Sequence, residues 1–299
     1  MVDKKGTIDP PRLAVALASF NRKEVTLRCL RGLYAQALGD ISVAVHLFDD
    51  NSPDGTANEV RVRFPQVHII NGDGNQFWGG GMRAAMQSAM GAPFDFLLWL
   101  NDDVSLFENS ILTLLEAHEM ACLDYGSGPH IVVGAVTDPA TGQVTYSGLT
   151  RNNSWHPVSL SREIPNSRVL TPCDTMNGNI VLIPVEVVQQ IGVIDPSFIH
   201  QLGDFDYGYR AVRSGAKIWL ASRPVGTCER DRQRKNWANP SLTFMERLNI
   251  LNTPQGLPPI PWLKFMWRFG GGLGVILLGI GYMRALGRSM LRSLNVYRQ

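Results

Sequence analysis

A buried strand that ends in two carboxylates constrains the fold of this chain more than any other feature. Residues 94–105, FDFLLWLNDDVS, begin with a nearly continuous apolar run, which is typical of a strand covered on both faces. Asp102 and Asp103 follow at once, and carboxylates in such a place are costly unless a cation meets them. In an open α/β sheet, this edge is also where ligands bind. The segment therefore predicts that Asp102 and Asp103 hold a divalent metal and, through it, a phosphorylated substrate.

The first hundred residues alternate between strand and helix patterns. Apolar runs at residues 12–20, 41–48 and 67–70 predict strands; helical spacing begins near Lys23, Thr56 and Met82, and Gly39 closes the first helix. This order predicts a mostly parallel sheet with helices on both faces. Later patterns are mixed: helical at 110–121, 185–191 and 204–214, extended at 131–138 and 177–184, and typical of hairpins and loops at 142–170.

Composition argues against several classes of protein. With 299 residues and 44% hydrophobic content, the chain can bury the core of one large domain with a tail, or of two small domains. A net charge of +2 is too small to argue for nucleic acid, although the part beyond Arg223 is locally basic. Four widely spaced cysteines without a CxxC pair argue against structural zinc and fit a reducing cytosol. The polar N-terminus lacks the apolar segment of a secretory signal.

A second pair of carboxylates, Asp49 and Asp50, ends another apolar strand just before a turn. In a doubly wound fold, a carboxylate there can accept hydrogen bonds from a nucleotide base or a ribose. The alternative is that Asp50, Asn51 and Asp54 only cap and shape the turn into the next helix. Two acidic strand ends in neighbouring units favour ligand binding for Asp49 and leave Asp50 open between the two interpretations.

Residues 71–83, NGDGNQFWGGGMR, predict a glycine-rich loop that runs into a helix. Glycines let backbone N–H groups approach a ligand closely, and a helix N-terminus favours an anion. The loop matches neither the P-loop pattern nor a GxGxxG turn, which argues against kinase-like and dinucleotide-binding sites. Trp78 is a candidate platform for a sugar or a base, and Arg83 is a candidate anion contact. The alternative is a flexible loop with Trp78 in the core.

Residues 203–210, GDFDYGYR, place two carboxylates at the start of a predicted helix. Asp204 can act as a general base if it lies within reach of an acceptor hydroxyl. Helix capping together with a surface ion pair between Asp206 and Arg210 would explain the same spacing, since residues four apart share a helix face. The motif by itself slightly favours this structural alternative.

Five segments together resemble, in order and spacing, the inverting glycosyltransferases of family 2. They are SFNR, FDDNSPDGT, NQFWGGGMR, LNDDV and GDFDYGYR, which lie within residues 13–220. The resemblance implies the GT-A fold, a mixed and mostly parallel Rossmann-like sheet with helices on both faces. Among members of the family, the segments look most like the bacterial rhamnosyltransferase branch.

The resemblance also implies roles at the matching positions. Asp49 would bind the nucleotide base, Asp103 would ligate the metal directly, and Asp102 would contact the ribose or a metal-bound water. Asp204 would be the catalytic base. The nucleotide-sugar-binding candidates are Ser19, Asn21, Arg22, Asp49, Asp50, Asn75, Trp78, Gly79, Gly80, Arg83 and Asp102, and the acceptor-binding candidates are Asn177, Gly178, His200 and Asp206.

The chain departs from the family pattern at three places. Asn101 replaces the first Asp of the DxD motif, and Gly203 replaces the Glu that precedes the catalytic Asp. The stretch VGTCERDR, residues 225–232, lacks the His that completes the metal shell in many relatives. Either Glu229 or Cys228 would substitute, or the metal would be held more loosely. In the latter case the candidate diphosphate contacts are Arg230, Arg232 and Arg234.

The expected function is transfer of a sugar from a dTDP- or UDP-sugar, with dTDP-rhamnose as a candidate, onto a glycan or lipid-linked acceptor. The expected cofactor is Mg²⁺ or Mn²⁺. A non-catalytic subunit that binds nucleotide sugar or glycan is the main rival, because the three departures suit it. A nucleotidyltransferase is a second rival, but it would normally need a basic glycine-rich loop near the N-terminus.

The domain prediction has three parts: a polar arm at residues 1–11, a catalytic domain at 12–240 and a C-terminal helical segment at 241–299. Within the catalytic domain, residues 12–105 would bind nucleotide sugar and 106–240 the acceptor. Residues 269–283 carry no charge but are shorter than the roughly 20 residues that a spanning helix needs. Aromatic residues beside Lys264 and Arg268 are typical of an interfacial membrane segment, whereas a helical hairpin packed on the catalytic domain or on a second copy is the alternative. The expected location is the cytoplasm, with peripheral contact to the inner face of the plasma membrane.

Overall fold

The computed structural model describes residues 10–229, 239 and 241–296, with side chains as far as residue 286. Its helices are α1 (Lys23–Tyr34), α2 (Thr56–Arg63), α3 (Phe77–Ala89), α4 (Ser110–Tyr125), α5 (Val185–Ile191), α6 (Gly203–Arg213), α7 (Phe244–Leu251) and α8 (Pro259–Val296). Its strands are β1 (Arg12–Ser19), β2 (Ser42–Asp49), β3 (His68–Asn71), β4 (Phe96–Leu100), β5 (Ser105–Leu106), β6 (His130–Val133), β7 (Val136–Thr137), β8 (Val144–Tyr146), β9 (Gly148–Arg151), β10 (Leu160–Arg162), β11 (Thr171–Cys173), β12 (Thr175–Met176), β13 (Ile180–Pro184), β14 (Lys217–Leu220) and β15 (Gly226–Thr227).

The larger of two compact units is built on an eight-stranded sheet with the order β11-β14-β6-β13-β4-β1-β2-β3. Strands β3, β2, β1 and β4 are parallel neighbours, while β13 runs antiparallel to both β4 and β6. A smaller sheet has the order β5-β15-β7-β8, and β9 pairs with β12. The predicted mixed, mostly parallel sheet is therefore confirmed.

Strand register brings distant polar residues to one edge of this sheet. Ser19 pairs with Asp49 at the carboxyl ends of β1 and β2, and β4 ends beside them on the other side of β1. The antiparallel β13 begins where β4 ends, with Ile180 opposite Leu100. The chain just before β13 therefore meets the chain just after β4, and the N–H of Asn101 donates to the carbonyl of Asn179 at 2.8 Å.

Both faces of the sheet are covered, because the central strands are apolar on both sides. In β4, Leu98 and Leu100 pack into one cluster with residues of α1 and α4, whereas Leu97 and Trp99 pack into a second cluster with residues of α3 and α6. All four of these side chains have no exposed surface. The run before Asn101 is continuously apolar because β4 is covered on both faces, as the sequence pattern predicts.

Helix α3 begins at Phe77, five residues earlier than the sequence pattern indicates, so Gly79, Gly80 and Gly81 of the predicted loop are helical. Tertiary packing is the reason. A Cβ atom on Gly79 would collide with the carbonyl oxygen of Phe198, and one on Gly81 would lie 2.9 Å from Cβ of Ala18. The glycines therefore let the helix backbone approach β1 and the chain near Phe198, and they do so at a cost in helix propensity.

Other element boundaries also differ from the predicted ones. Helix α1 ends at Tyr34 instead of Gly39, and β13 starts at Ile180 instead of Asn177. The strand predicted over 131–138 is divided at Gly134, where a Cβ atom would collide with Val225. The boundary predictions fail here because packing and register, rather than local pattern, end these elements.

The described residues within 151–161, 200–202 and 231–299 form the second compact unit. Helix α7 starts with a capping box between Thr243 and Glu246. Helix α8 has a non-helical residue, Gly271, with φ 59° and ψ −151°. Its segment Pro259–Leu286 has 28 residues and is, by length and composition alone, long and apolar enough to cross a membrane. This helical segment is longer than the charge-free stretch at residues 269–283.

Candidate active site

Three turns at the carboxyl edge of the sheet hold non-glycine residues at positive φ. They are Asn21 after β1 (φ 53°), Asn51 after β2 (φ 59°) and Phe77 at the start of α3 (φ 51°). Such a conformation is unfavourable, especially for a bulky residue, and persists only where the surroundings enforce it. Strain of this kind concentrates at functional sites, which directs attention to this edge.

The carboxylates of Asp102 and Asp103 lie together at this edge and share one cation. The Nη1 atom of Arg22 is 3.1 Å from Oδ1 of Asp102 and 2.9 Å from Oδ2 of Asp103. The hydroxyl of Thr26 donates to the other oxygen of Asp102 at 3.2 Å. Burial raises the pKa of Asp102 to about 6, although Arg22 opposes this increase. The pair is therefore a site of concentrated negative charge that a cation stabilises.

Cys228 completes the immediate surroundings of Asp103. Its thiol donates to Oδ1 of Asp103 at 3.5 Å and accepts from the amide of Asn179 at 3.7 Å. Burial and the neighbouring Asp103 raise the pKa of the Cys228 thiol, so it is protonated at neutral pH. The side chain of Glu229 is exposed. Of the two candidate substitutes for the missing His, Cys228 contacts Asp103 directly.

The residues present fit a metal bound with the help of a substrate. In the described part of the chain, no three His, Cys, Asp or Glu side chains are grouped as a metal site. Mg²⁺ and Mn²⁺ do not require such a group, because one or two carboxylates plus substrate phosphates commonly hold them. Asp102 and Asp103 supply these oxygens. Arg230, Arg232 and Arg234, the candidate diphosphate contacts, lie outside the described residues.

Asp49 and Asp50 are both buried, and they have different partners. Asp49 accepts hydrogen bonds from the backbone N–H of Ser52 at 3.1 Å and from its hydroxyl at 2.5 Å. The two oxygens of Asp50 accept three backbone N–H groups, from Gly74, Gln76 and Phe77, at 2.9 to 3.0 Å. Asp50 therefore organises the glycine-rich loop and the start of α3, a structural role different from capping of the turn into α2, and its predicted contact with the donor stays a prediction.

Trp78 connects the end of β4 with the predicted catalytic base. Its indole N–H donates to Oδ1 of Asn101 at 2.7 Å, and its ring meets Trp99 edge to face with centroids 6.0 Å apart. Gly178 packs against the same ring so closely that a Cβ atom there would lie 2.5 Å from it. The N–H of Gly178 donates to Oδ2 of Asp204 at 3.2 Å. The Asn that replaces the first Asp of the motif thus has a local function, as the acceptor for Trp78.

The carboxylates of α6 are not equivalent. Asp204 is partly exposed, and its Oδ1 accepts the N–H of Phe205 at 2.9 Å. Asp206 is fully buried and pairs with Nε of Arg210 at 2.7 Å, while Arg210 also donates to two backbone carbonyls, one at the last residue of α5 and one just after it. The ion pair predicted for the surface is therefore buried. Direct contact between Asp206 and an acceptor would require local opening of the structure.

The remaining candidates are distributed around this edge or outside it. Ser19 is buried, with its hydroxyl 2.8 Å from that of Thr26. The N–H groups of Gly79 and Gly80 both donate to the carbonyl of Ile199, so they are already engaged. In the described residues, Nη1 of Arg83 is buried without a hydrogen-bond partner. The others are Asn21, which donates its N–H to Ser52; Asn75, which is exposed; Asn177, which bonds Ser147; and His200, which belongs to the second unit.

Thr26 is the residue that sequence reasoning missed. Its hydroxyl contacts Ser19 and Asp102 and donates to the carbonyl of Arg22 at 3.0 Å. The signal was present, because Thr26 lies four residues after Arg22 on the first turn of a predicted helix. A polar residue on the buried side of that turn indicates a partner at the neighbouring strand end.

Comparisons with known proteins agree with this architecture. The low-salt glycan biosynthesis hexosyltransferase Agl10 of Haloferax volcanii is 22% identical over 210 residues, which are 69% of this chain and 63% of that protein. The chain therefore spans less than two thirds of the length of that curated relative.

Two solved structures are similar in fold. The mannosyltransferase PcManGT from Pyrobaculum calidifontis, in complex with GDP-Man and Mn²⁺, has a TM-score of 0.52 at 15% identity, over 94% of this chain and 74% of that one. S. aureus TarS 1–349 has a TM-score of 0.53 at 14% identity, over 93% of this chain and 80% of that one. At identities this low, structural similarity shows the fold alone. The similarity of these two structures confirms the GT-A fold.

The family is shown by a match to a family model. The model of the family described as Glycosyl transferase family 2 matches residues 14–173, which is more than half of the chain and includes the ends of β1, β2 and β4. This chain therefore belongs to glycosyl transferase family 2.

Proposed function

We propose that this protein is an inverting, metal-dependent glycosyltransferase that uses a nucleoside-diphosphate sugar and a hydroxyl acceptor. The observation that carries the proposal is the connection from Asn101 through Trp78 and Gly178 to Asp204. Asn101 directly precedes Asp102 and Asp103, which are suited to bind a metal and a diphosphate. At the other end of the connection, Asp204 is a partly exposed carboxylate that is suited to act as a base. A donor complex is also known for a protein of the same fold, since PcManGT was solved with GDP-Man and Mn²⁺.

In the proposed mechanism, Asp204 receives the proton of the acceptor hydroxyl while the acceptor oxygen attacks the anomeric carbon. The bond between that carbon and the diphosphate oxygen breaks, and its electron pair leaves with the diphosphate. A single displacement of this kind inverts the configuration. The N–H groups of Gly178 and Phe205 hold the carboxylate of Asp204 in one orientation. Asp103, with Asp102, would hold the metal, which neutralises charge on the leaving diphosphate when bound.

The donor proposal is a dTDP- or UDP-sugar, with dTDP-rhamnose as a candidate, and the acceptor proposal is a glycan or lipid-linked glycan of bacterial surface polysaccharide. The donor base would contact Asp49, which lies beside Ser19 at the ends of β1 and β2. The sugar would lie against Trp78, because an aromatic ring offers a flat apolar surface to a sugar face. Asn177 and Gly178 remain the proposed acceptor contacts of the larger unit, and His200 remains a separate candidate in the second unit.

A donor panel tests this function. We expect one nucleotide class among UDP-, dTDP- and GDP-sugars to release nucleoside diphosphate in Mn²⁺, and we expect EDTA to suppress the release. Thermal shift against the same panel is the companion measurement. A donor that stabilises the protein without any release, even with glycan acceptors, would favour the non-catalytic binding subunit, and no response in either assay would contradict both functions.

Helix α8 supports a further part of the proposal, peripheral membrane contact. Its exposed apolar side chains are Ile260, Leu263, Trp267, Leu273, Ile276 and Met283. Lys264, Arg268 and Arg284 accompany them on the same helix, a composition suited to an anionic lipid surface. A lipid-linked acceptor would make such attachment useful.

We expect the protein to co-sediment with anionic liposomes at low salt and to be released as salt is raised, because screening weakens the electrostatic part of binding. The double substitution Trp267→Glu and Ile276→Glu should abolish binding. Val62→Glu, at a residue on α2 that is 77% exposed, is the matched control and should not. Equal sedimentation with and without liposomes would remove the membrane proposal, and a dimer in light scattering would favour self-association through this face.

A further inference from the structure

Arg22 occupies an unusual place in the carboxylate pair. A single nitrogen atom, Nη1, contacts Asp102 at 3.1 Å and Asp103 at 2.9 Å. The Asp102 side chain is only 6% exposed, whereas the Arg22 side chain is 48% exposed. The positive charge of Arg22 therefore bridges the two carboxylates from the solvent side. A metal ion shared by Asp102 and Asp103 would occupy a similar position.

The backbone of Arg22 is held, while nearly half of its side-chain surface is exposed to solvent. Its carbonyl accepts the N–H of Thr26 at 2.9 Å and the hydroxyl of Thr26 at 3.0 Å. The preceding residue, Asn21, is at positive φ and donates its N–H to the hydroxyl of Ser52 at 2.9 Å. The guanidinium can therefore leave the carboxylates by rotation about its own side-chain bonds without disturbing β1 or α1.

A divalent metal that bridged these two oxygen atoms would lie too close to Arg22 in its present position. Mg²⁺ needs its oxygen ligands at about 2.1 Å, whereas Nη1 lies about 3 Å from the same oxygens. Two cations so close would also repel each other strongly, since the site is partly buried and poorly screened. A metal that bridges Oδ1 of Asp102 and Oδ2 of Asp103, as Nη1 does, would therefore have to displace the guanidinium.

We propose that Arg22 is an exchangeable counter-cation, which neutralises Asp102 and Asp103 in the metal-free protein and which the metal displaces. This inference rests on the metal role within the proposed function. After displacement the guanidinium no longer faces the two carboxylates, and its planar pair of N–H donors is suited to phosphate oxygens. Metal binding alone is then weakened by the competing arginine.

Titration with Mn²⁺ alone tests the competition, with free Mn²⁺ followed by its EPR signal and no nucleotide present. We expect Arg22→Met, which keeps the length of the side chain without its charge, to bind Mn²⁺ at least tenfold more tightly than the unsubstituted protein. Mn²⁺ should also raise the melting temperature of Arg22→Met by the larger amount. Arg12→Met is the matched control, because Arg12 pairs with Asp95 at the opposite end of β1 and should leave Mn²⁺ affinity unchanged.

Equal or weaker Mn²⁺ binding by Arg22→Met would overturn the inference and leave the transferase proposal intact. Binding by neither protein would overturn the inference together with the metal role. The donor panel is independent of this experiment, since release of nucleoside diphosphate can be observed whichever result is obtained here.

Discussion

Asp204→Asn is expected to lower turnover by about 10²–10⁴-fold, because an amide cannot take the proton of the acceptor hydroxyl. Donor affinity should change little, since the carboxylate pair at Asp102 and Asp103 is untouched. An Asn at this position also keeps one oxygen to accept the N–H of Gly178 or of Phe205. The measurement is the rate of nucleoside diphosphate release with acceptor, together with the dissociation constant of the donor.

Glu186→Gln is the control for Asp204→Asn, because Glu186 is an exposed acid in the first turn of α5. It should retain full turnover. Unchanged turnover in Asp204→Asn would exclude Asp204 as the base. Equal loss of turnover and of donor affinity would assign Asp204 to donor binding instead.

Asp50→Ala is expected to destabilise the protein by about 3–5 kcal/mol. Several hydrogen bonds to a charged acceptor would be lost, and their contributions to the free energy of unfolding are not fully additive. Three backbone N–H groups, of Gly74, Gln76 and Phe77, would lose their acceptor. Phe77 would also lose a contact that holds it at positive φ. Urea unfolding followed by circular dichroism measures the change, and Asp50→Asn should give an intermediate value.

Asp49→Ala is the matched comparison, because Asp49 is about as buried as Asp50, but among the described residues its carboxylate bonds only Ser52. We expect it to lose less stability and to weaken nucleotide binding more, as its proposed contact with the base requires. If Asp50→Ala kept its unfolding midpoint while donor binding fell, Asp50 would be a ligand contact and its role in organising the loop would be secondary.

Local pattern was sufficient for the class of fold. Apolar runs and helical spacing depend on neighbours within a few residues, so they predicted alternating strands and helices, and the mixed sheet is confirmed. The GT-A fold, which the family resemblance implied, is confirmed as well. The position of Asp102 and Asp103 at the end of a buried strand was determined in the same way. A continuous apolar run followed by carboxylates has few other arrangements in an α/β sheet.

Contacts between distant segments decided the rest. Arg22 meets Asp102 across 80 residues, and the amide of Gly178 meets Asp204 across 26. Close packing against Phe198 explains why α3 contains a glycine at residue 79. The ion pair of Asp206, which was predicted on the surface, is buried. The sequence by itself determined which residues carry charge and which strands end in it. Only the tertiary structure decided which charges share a cation and which carboxylate stays accessible, because strand register and burial depend on the whole sheet.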